Sequence, residues 1–185
     1  AAFKSFFVNE TEIWNDCFSR GQLRSKLWLV QELKKCNADL GTVFLCAGWY
    51  ATLATMIFES DIKVDRIHSF DIDPSCQQIA ETFNKPWYLD KWRFKASTGD
   101  IRDFNYTTVP APSDGSVGNY YFKTTVGDRE IETRLKPDTF INTSTEHVED
   151  FDNWYRSNIP FGSLVIMQGN NFHDLEEHVN THASL

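Results

Sequence analysis

The chain has few of the residues that staple small folds or hold structural metals. Its four cysteines, Cys17, Cys36, Cys46 and Cys76, lie 19, 10 and 30 residues apart. No C-x-x-C pair occurs and no histidine follows at zinc-finger spacing, which argues against a disulfide scaffold and a structural zinc. Apolar runs are equally scarce at length: none approaches the roughly 20 residues that cross a bilayer. Ala1 to Glu10 lacks the basic-then-apolar order of a secretory leader. Basic residues are in deficit, 18 against 26 acidic, for a formal net charge of −8. That is the wrong sign for tracking a phosphate backbone by charge alone, so bulk nucleic-acid binding is disfavoured. Low-complexity tracts are absent too. The expectation is a soluble, cytoplasmic protein with reduced thiols.

What is present is the material of a core. Of 185 residues, 41% are hydrophobic and 15% aromatic, with 15 Phe and 6 Trp. The length suits one domain, expected to span residues 1–185, and the composition excludes disorder over most of it. Residues 1–40 read as an N-terminal helical segment, because Leu23, Leu27, Val30 and Leu33 recur at helical spacing. Gly41 then introduces Thr42-Val43-Phe44-Leu45-Cys46, a continuous apolar run of the kind buried on both faces of a parallel sheet. Tyr50 to Glu59 reads as a helix and Arg66 to Phe70 as a second strand, which together make a βαβ unit. Pro74 opens a helix towards Asn84 that Pro86 is expected to stop. Trp92–Ser97, Asp138–Asn142 and Ser163–Gln168 read as three more strands, with a helix over Glu146–Asn158. The alternation predicts an α/β fold: a mostly parallel sheet covered on both faces.

Residues 107–136 break the rhythm. Pro110, Pro112, Gly115 and Gly118 mark a loop, and Gly127-Asp128 between Tyr120–Val126 and Arg129–Leu135 fits a two-residue hairpin turn. An inserted β-hairpin is expected there, serving as a lid or a dimer edge.

Ligands of open parallel sheets sit at the carboxyl ends of the strands, so the residues following each strand are the candidates. After the first comes Cys46-Ala47-Gly48-Trp49-Tyr50. A dinucleotide loop would need G-x-G-x-x-G, and the bulk of Trp49 and Tyr50 would obstruct a pyrophosphate. A nicotinamide-dependent oxidoreductase is therefore disfavoured, and Gly48 has the alternative of simply making a tight turn. After the second strand, Asp71 can accept both hydroxyl protons of a ribose, while Asp73 before Pro74 reads as a helix cap. After the third, Asp100 can accept from the exocyclic amine of adenine and Ile101 can lie against its ring.

V-F-L-C-A-G-W-Y, I-H-S-F-D-I-D-P and A-S-T-G-D-I-R-D-F together resemble the first three motifs of class I S-adenosylmethionine (SAM)-dependent methyltransferases, over about residues 41 to 170. The chain departs from the family's G-x-G-x-G loop, with Gly48 its one glycine there. The resemblance implies a Rossmann-like three-layer sandwich and SAM as cofactor. It implies Cys46, Ala47 and Gly48, with Trp49 beside them, at the methionine part. Asp71 would meet the ribose, Ile72 the adenine edge, and Asp100 with Ile101 the adenine. The family's sheet ordinarily has seven strands, so the C-terminal strand pair is expected to be missing and the chain to be incomplete at that end.

After the fourth strand, Asn142, Glu146 and His147 stand where the family delivers the methyl group. Glu146 or His147 would serve as base if the acceptor must lose a proton, and Asn142 would orient a donor. Thr143-x-x-Glu146 is also a capping box, giving Glu146 a structural alternative. No D/N-P-P-Y motif of amino methyltransferases of bases occurs. His173, His178 and His182 read as a solvated helix rather than a metal site, and no metal is expected. The expected activity is methyl transfer to an unidentified acceptor, small molecule or macromolecule, with a homodimer possible. A non-catalytic nucleoside-binding or protein-interaction module on the same fold is the rival.

Overall fold

The computed structural model describes residues 15–103, 120–126, 129–170, 173, 174, 176 and 178–181, with only the backbone pairing for 120–134. Among them, α1 (Arg20–Lys35) leads into β1 (Thr42–Cys46), α2 (Thr52–Phe58), β2 (Arg66–Asp71), α3 (Pro74–Phe83), α4 (Lys85–Leu89) and β3 (Phe94–Thr98). A hairpin, β4 (Tyr120–Val126) and β5 (Arg129–Leu135), precedes β6 (Thr139–Asn142), α5 (Phe151–Asn158) and β7 (Leu164–Met167).

Five strands form one parallel sheet in the order β3-β2-β1-β6-β7. The chain winds outwards in one direction from β1 to β3, then returns to β1's other side with β6. That reversal is the topological switch point where α/β folds open a crevice. The register brings the strand ends to one edge: Cys46 faces Phe70 and Asn142, Asp71 faces Thr98, and Asn142 faces Met167.

Period-two alternation divides the core. Val43, Leu45, Ile67 and Ile141 pack with Leu29, Val30 and Leu33 of α1 and Leu53, Ala54 and Ile57 of α2. Phe44, Cys46, Phe70 and Phe140 face the other way, against Trp154 of α5, Ile101 and Val148. Each fully buried Phe or Leu contributes roughly 1.5–3 kcal/mol over leaving it exposed. The buried polar Asn84 joins α2 to α3, accepting from Thr55 Oγ1 at 2.9 Å and donating to Ala51 and Ala80 carbonyls at 3.3 and 3.0 Å.

His68 is buried in β2, with Nε2 2.9 Å from Ser97 Oγ and its ring stacked on Phe70. Burial, then the positive charges of Lys95 and Arg66, keep its pKa well below the usual 6.5. The unfolded chain therefore binds a proton near pH 6.5 that the folded chain refuses. Stability should fall as pH drops below about 6.5, by at most ~1.4 kcal/mol per pH unit from this group. Thermal melts from pH 7.5 to 5 check this; a His68→Gln variant whose stability falls as steeply over that range would rule the group out.

Four local expectations are corrected. The helix expected over Glu146–Asn158 is split into a 3-10 turn, Thr145–His147, and α5, because Asp150 takes a left-handed φ of 48°. Pro86 does not end the helical region but sits in the first turn of α4, where its missing N–H costs nothing. Helix α2 starts only at Thr52, after a left-handed Ala51. The described residues from 173 to 181 form turns, not the helix expected for the histidine-bearing end. The expected hairpin is present, Tyr120 pairing with Leu135 and Val126 with Arg129, while its Gly127-Asp128 turn lies outside the described residues. Among the described residues no helix is long and apolar enough to cross a membrane.

Candidate functional site

The crevice at the switch point has two adjoining parts, of about 140 and 380 Å³, that share Ala47, Asp71, Ile72 and His147. The smaller is mostly apolar, with Ile72, Ile101 and Val148 beside Gly99, Asp100 and Arg102. The larger is more polar, with Gln22 and Lys26 from α1, Gly48 and Trp49 after β1, and Thr143, Ser144 and Glu146 after β6. A small apolar slot continuous with a polar chamber suits an elongated ligand with a flat ring at one end and charged groups at the other.

The loop after β1 takes its shape from three left-handed residues at alternate positions: Ala47 (φ 51°), Trp49 (φ 51°) and Ala51 (φ 52°). This is the i, i+2, i+4 spacing of the G-x-G-x-G loop. Gly48 is thus an intervening residue and not the surviving glycine of that pattern. What requires glycine at 48 is space: a Cβ there would lie 2.1 Å from Ser69 Oγ. Each left-handed alanine costs roughly 1–2 kcal/mol that glycine avoids, less the ~0.4–1 kcal/mol that glycine adds to unfolded-chain entropy. Ala47→Gly is therefore expected to raise Tm by about 1–4 °C. An unchanged or lower Tm in a thermal melt would show that the loop is not strained there.

Asp71 fastens this loop to β2. Its Oδ2 accepts from Trp49 N at 2.8 Å and its Oδ1 from Asp73 N at 3.0 Å. Burial raises its pKa in spite of these backbone donors. Each carboxylate oxygen has two lone pairs, so Asp71 keeps acceptor capacity towards the cleft it lines. Asp73 caps α3, accepting from Ser75 N at 2.8 Å. Ile72 between them is 67% exposed, an apolar side chain held at the cleft wall.

Asp100 lines the apolar slot, but Arg102 grips its carboxylate, with Nη2 at 2.6 Å from Oδ2 and Nε at 3.0 Å from both oxygens. The guanidinium holds the Asp100 pKa below the usual carboxylate range. Ile101 follows in a 3-10 turn that Trp154 secures by donating Nε1–H to the Ile101 carbonyl at 3.2 Å.

Cys46 lies away from the cleft lining, buried in the aromatic cluster, and burial pushes its thiol pKa up to about 12. Asn142 is also buried behind the cleft. Its Oδ1 accepts from Ser144 N at 2.9 Å, and its Nδ2 has no hydrogen-bond partner among the described residues. Glu146 and His147 do line the larger part. The Glu146 carboxylate does not close a capping box: Oε1 accepts from Asn170 Nδ2 at 2.8 Å and Oε2 is buried without a partner among the described residues.

Among the lining residues that the sequence does not mark are Lys26 and Arg102. Lys26 is 8% exposed, its ammonium 2.6 Å from Gln22 Oε1, and burial lowers its pKa. The signal available was a lysine one helical turn beyond Gln22, on the face that turns inwards.

No protein-family model and no curated protein matches the chain. Solved structures do. One is a proposed S-adenosyl-L-methionine-dependent methyltransferase from Methanococcus maripaludis, 12% identical, superposing with a TM-score of 0.57 over 86% of this chain and 62% of that one. Another is the methyltransferase domain of a bacterial Hen1 protein, 14% identical, with a TM-score of 0.50 over 80% of this chain and 65% of that one. The chain thus spans somewhat under two thirds of the length of each. Strand order, the crevice at the switch point and these superpositions agree: the chain has the Rossmann-like fold of the class I SAM-dependent methyltransferases.

Proposed function

We propose that the chain binds SAM in the two-part cleft and transfers its methyl group to an acceptor held against Thr143, Ser144, Glu146 and His147. The observation that carries this reading is the apolar slot opening into a polar chamber at the ends of β1, β2, β3 and β6. The adenine takes the slot between Ile72 and Ile101, the ribose hydroxyls donate to Asp71, and the methionine part extends past Ala47 and Gly48. There the Lys26 ammonium meets the carboxylate and Gln22 stands beside it. Transfer from a sulfonium is an in-line displacement, so holding donor and acceptor in line supplies much of the rate. His147 or Glu146 takes the acceptor proton where the acceptor must lose one.

The grip of Arg102 on Asp100 favours a second reading, a protein-interaction module without turnover, because it occupies the acid expected to meet adenine. Incubating the folded chain with methyl-labelled SAM and a broad set of metabolites and macromolecules separates the two. Label transfer to an acceptor establishes the enzyme. No transfer to any acceptor, together with no saturable SAM binding, supports the module.

A further inference from the structure

We propose that Glu146, His147 and His178 form a site for a first-row divalent cation at the rim of the cleft. One ligand atom from each lies within 4.8 Å of the other two. Around a tetrahedral zinc with bonds of about 2.0–2.1 Å the ligand atoms stand roughly 3.4 Å apart, so small side-chain rotations close the set. The two imidazole rings already meet edge to face, with centroids 4.7 Å apart.

Two further observations point to a ligand. The Glu146 side chain is nine-tenths buried, yet its Oε2 has no hydrogen-bond partner among the described residues. Leaving a buried carboxylate oxygen unpaired is costly, and a cation removes that cost. The second is the anchoring of the segment that carries His178. Val179 N and Asn180 N both donate to the Glu146 carbonyl, at 2.8 and 3.2 Å, and Asn180 Nδ2 donates to the Val148 carbonyl. The chain therefore returns 31 residues after His147 to place a second imidazole against it. Asn170 Nδ2, bonded to Glu146 Oε1, orients the carboxylate as an outer partner does at metal sites.

Two imidazoles and one carboxylate favour zinc and its neighbours over magnesium or calcium, which prefer all-oxygen sets. Glu146 and His147 line the larger part of the cleft, so a cation bound there faces that chamber with positions left open, and the two side chains then hold the cation instead of taking an acceptor proton. The site does not depend on whether the cleft takes SAM.

The test is titration of the chelator-treated full chain with zinc and, separately, magnesium, followed by calorimetry and by the Tm, with a SAM titration run in parallel. Zinc should bind at one equivalent per chain, at least tenfold more tightly than magnesium, and raise Tm by mass action. His178→Ala should weaken zinc at least tenfold and abolish the zinc-dependent Tm rise. His178 is only partly buried, so the metal-free Tm of that variant should match the parent. Zinc binding that is absent, equalled by magnesium, or unchanged in His178→Ala overturns the proposal. Any of these results with SAM binding intact removes the cation site alone. Lost SAM binding beside intact zinc binding removes the cofactor reading alone.

Discussion

Asp71→Ala should weaken SAM binding by about 1.5–3 kcal/mol, between one and two orders of magnitude in Kd, and destabilise the fold as well. Both effects come from one carboxylate. Towards the protein it accepts from Trp49 N and Asp73 N. Towards the cleft it has the lone pairs that ribose hydroxyls would use. Hydrogen bonds to a charged acceptor contribute roughly 1.5–3 kcal/mol each, and truncation leaves two backbone donors without partners. Removing a charge that burial disfavours offsets part of the loss, so a net destabilisation of about 1–3 kcal/mol is expected. Calorimetry reads the first effect and denaturant unfolding the second. The raised pKa adds a pH signature. Only the ionised form accepts on both oxygens, so SAM affinity should begin to fall on acidification at a higher pH than an ordinary aspartate would dictate. Asp71→Asn should show weaker binding without that acid limb. A parent-like affinity in Asp71→Ala would remove the ribose assignment.

Gly48→Ala is expected to destabilise the fold by about 1–3 kcal/mol through overpacking. The added Cβ would meet Ser69 Oγ at 2.1 Å, with Leu45 Cγ and Cδ2 at 3.1 and 3.2 Å. Ser69 and Leu45 are 2% and 1% exposed, so neither can swing into solvent. The loop between β1 and α2 must then lift, taking Trp49 N away from Asp71 and opening the cleft floor. Because the nearest obstacle is one hydroxyl, Ser69→Ala in the same chain should recover a large part of the loss, a coupling that a double-mutant cycle measures directly. Equal losses with and without Ser69→Ala would show that conformation, and not the contact, makes glycine necessary at 48.

The apolar run at Thr42–Cys46 is legible as a parallel strand because a strand buried on both faces is apolar throughout, and Arg66–Phe70 is legible from its place in the βαβ alternation, since Arg66, His68 and Ser69 interrupt its apolar character. Asp71 was legible by its place at a strand end, and Asp73 by Pro74 after it. The loop was harder. Left-handed φ normally announces itself as glycine, and here alanine and tryptophan occupy those positions, so Gly48 drew attention for the wrong geometric reason. Arg102 escaped notice because its hold on Asp100 depends on a 3-10 turn that no residue spacing dictates. Lys26 carries no such mark, because a lysine between apolar helix positions ordinarily faces solvent and only the packing of α1 turns this one towards the cleft. The histidines near the chain end could be read only by their mutual spacing. What brings His178 to His147 is backbone hydrogen bonding from Val179 and Asn180 to the Glu146 carbonyl, a tertiary contact with no periodic signature.

Titration calorimetry of the folded chain with SAM and with S-adenosylhomocysteine tests the central claim most directly. The two-part cleft predicts saturable binding of both at one site per chain, weakened about tenfold or more in Asp71→Ala. No saturable binding of either ligand, in a chain whose circular dichroism and cooperative melt show it to be folded, would contradict it.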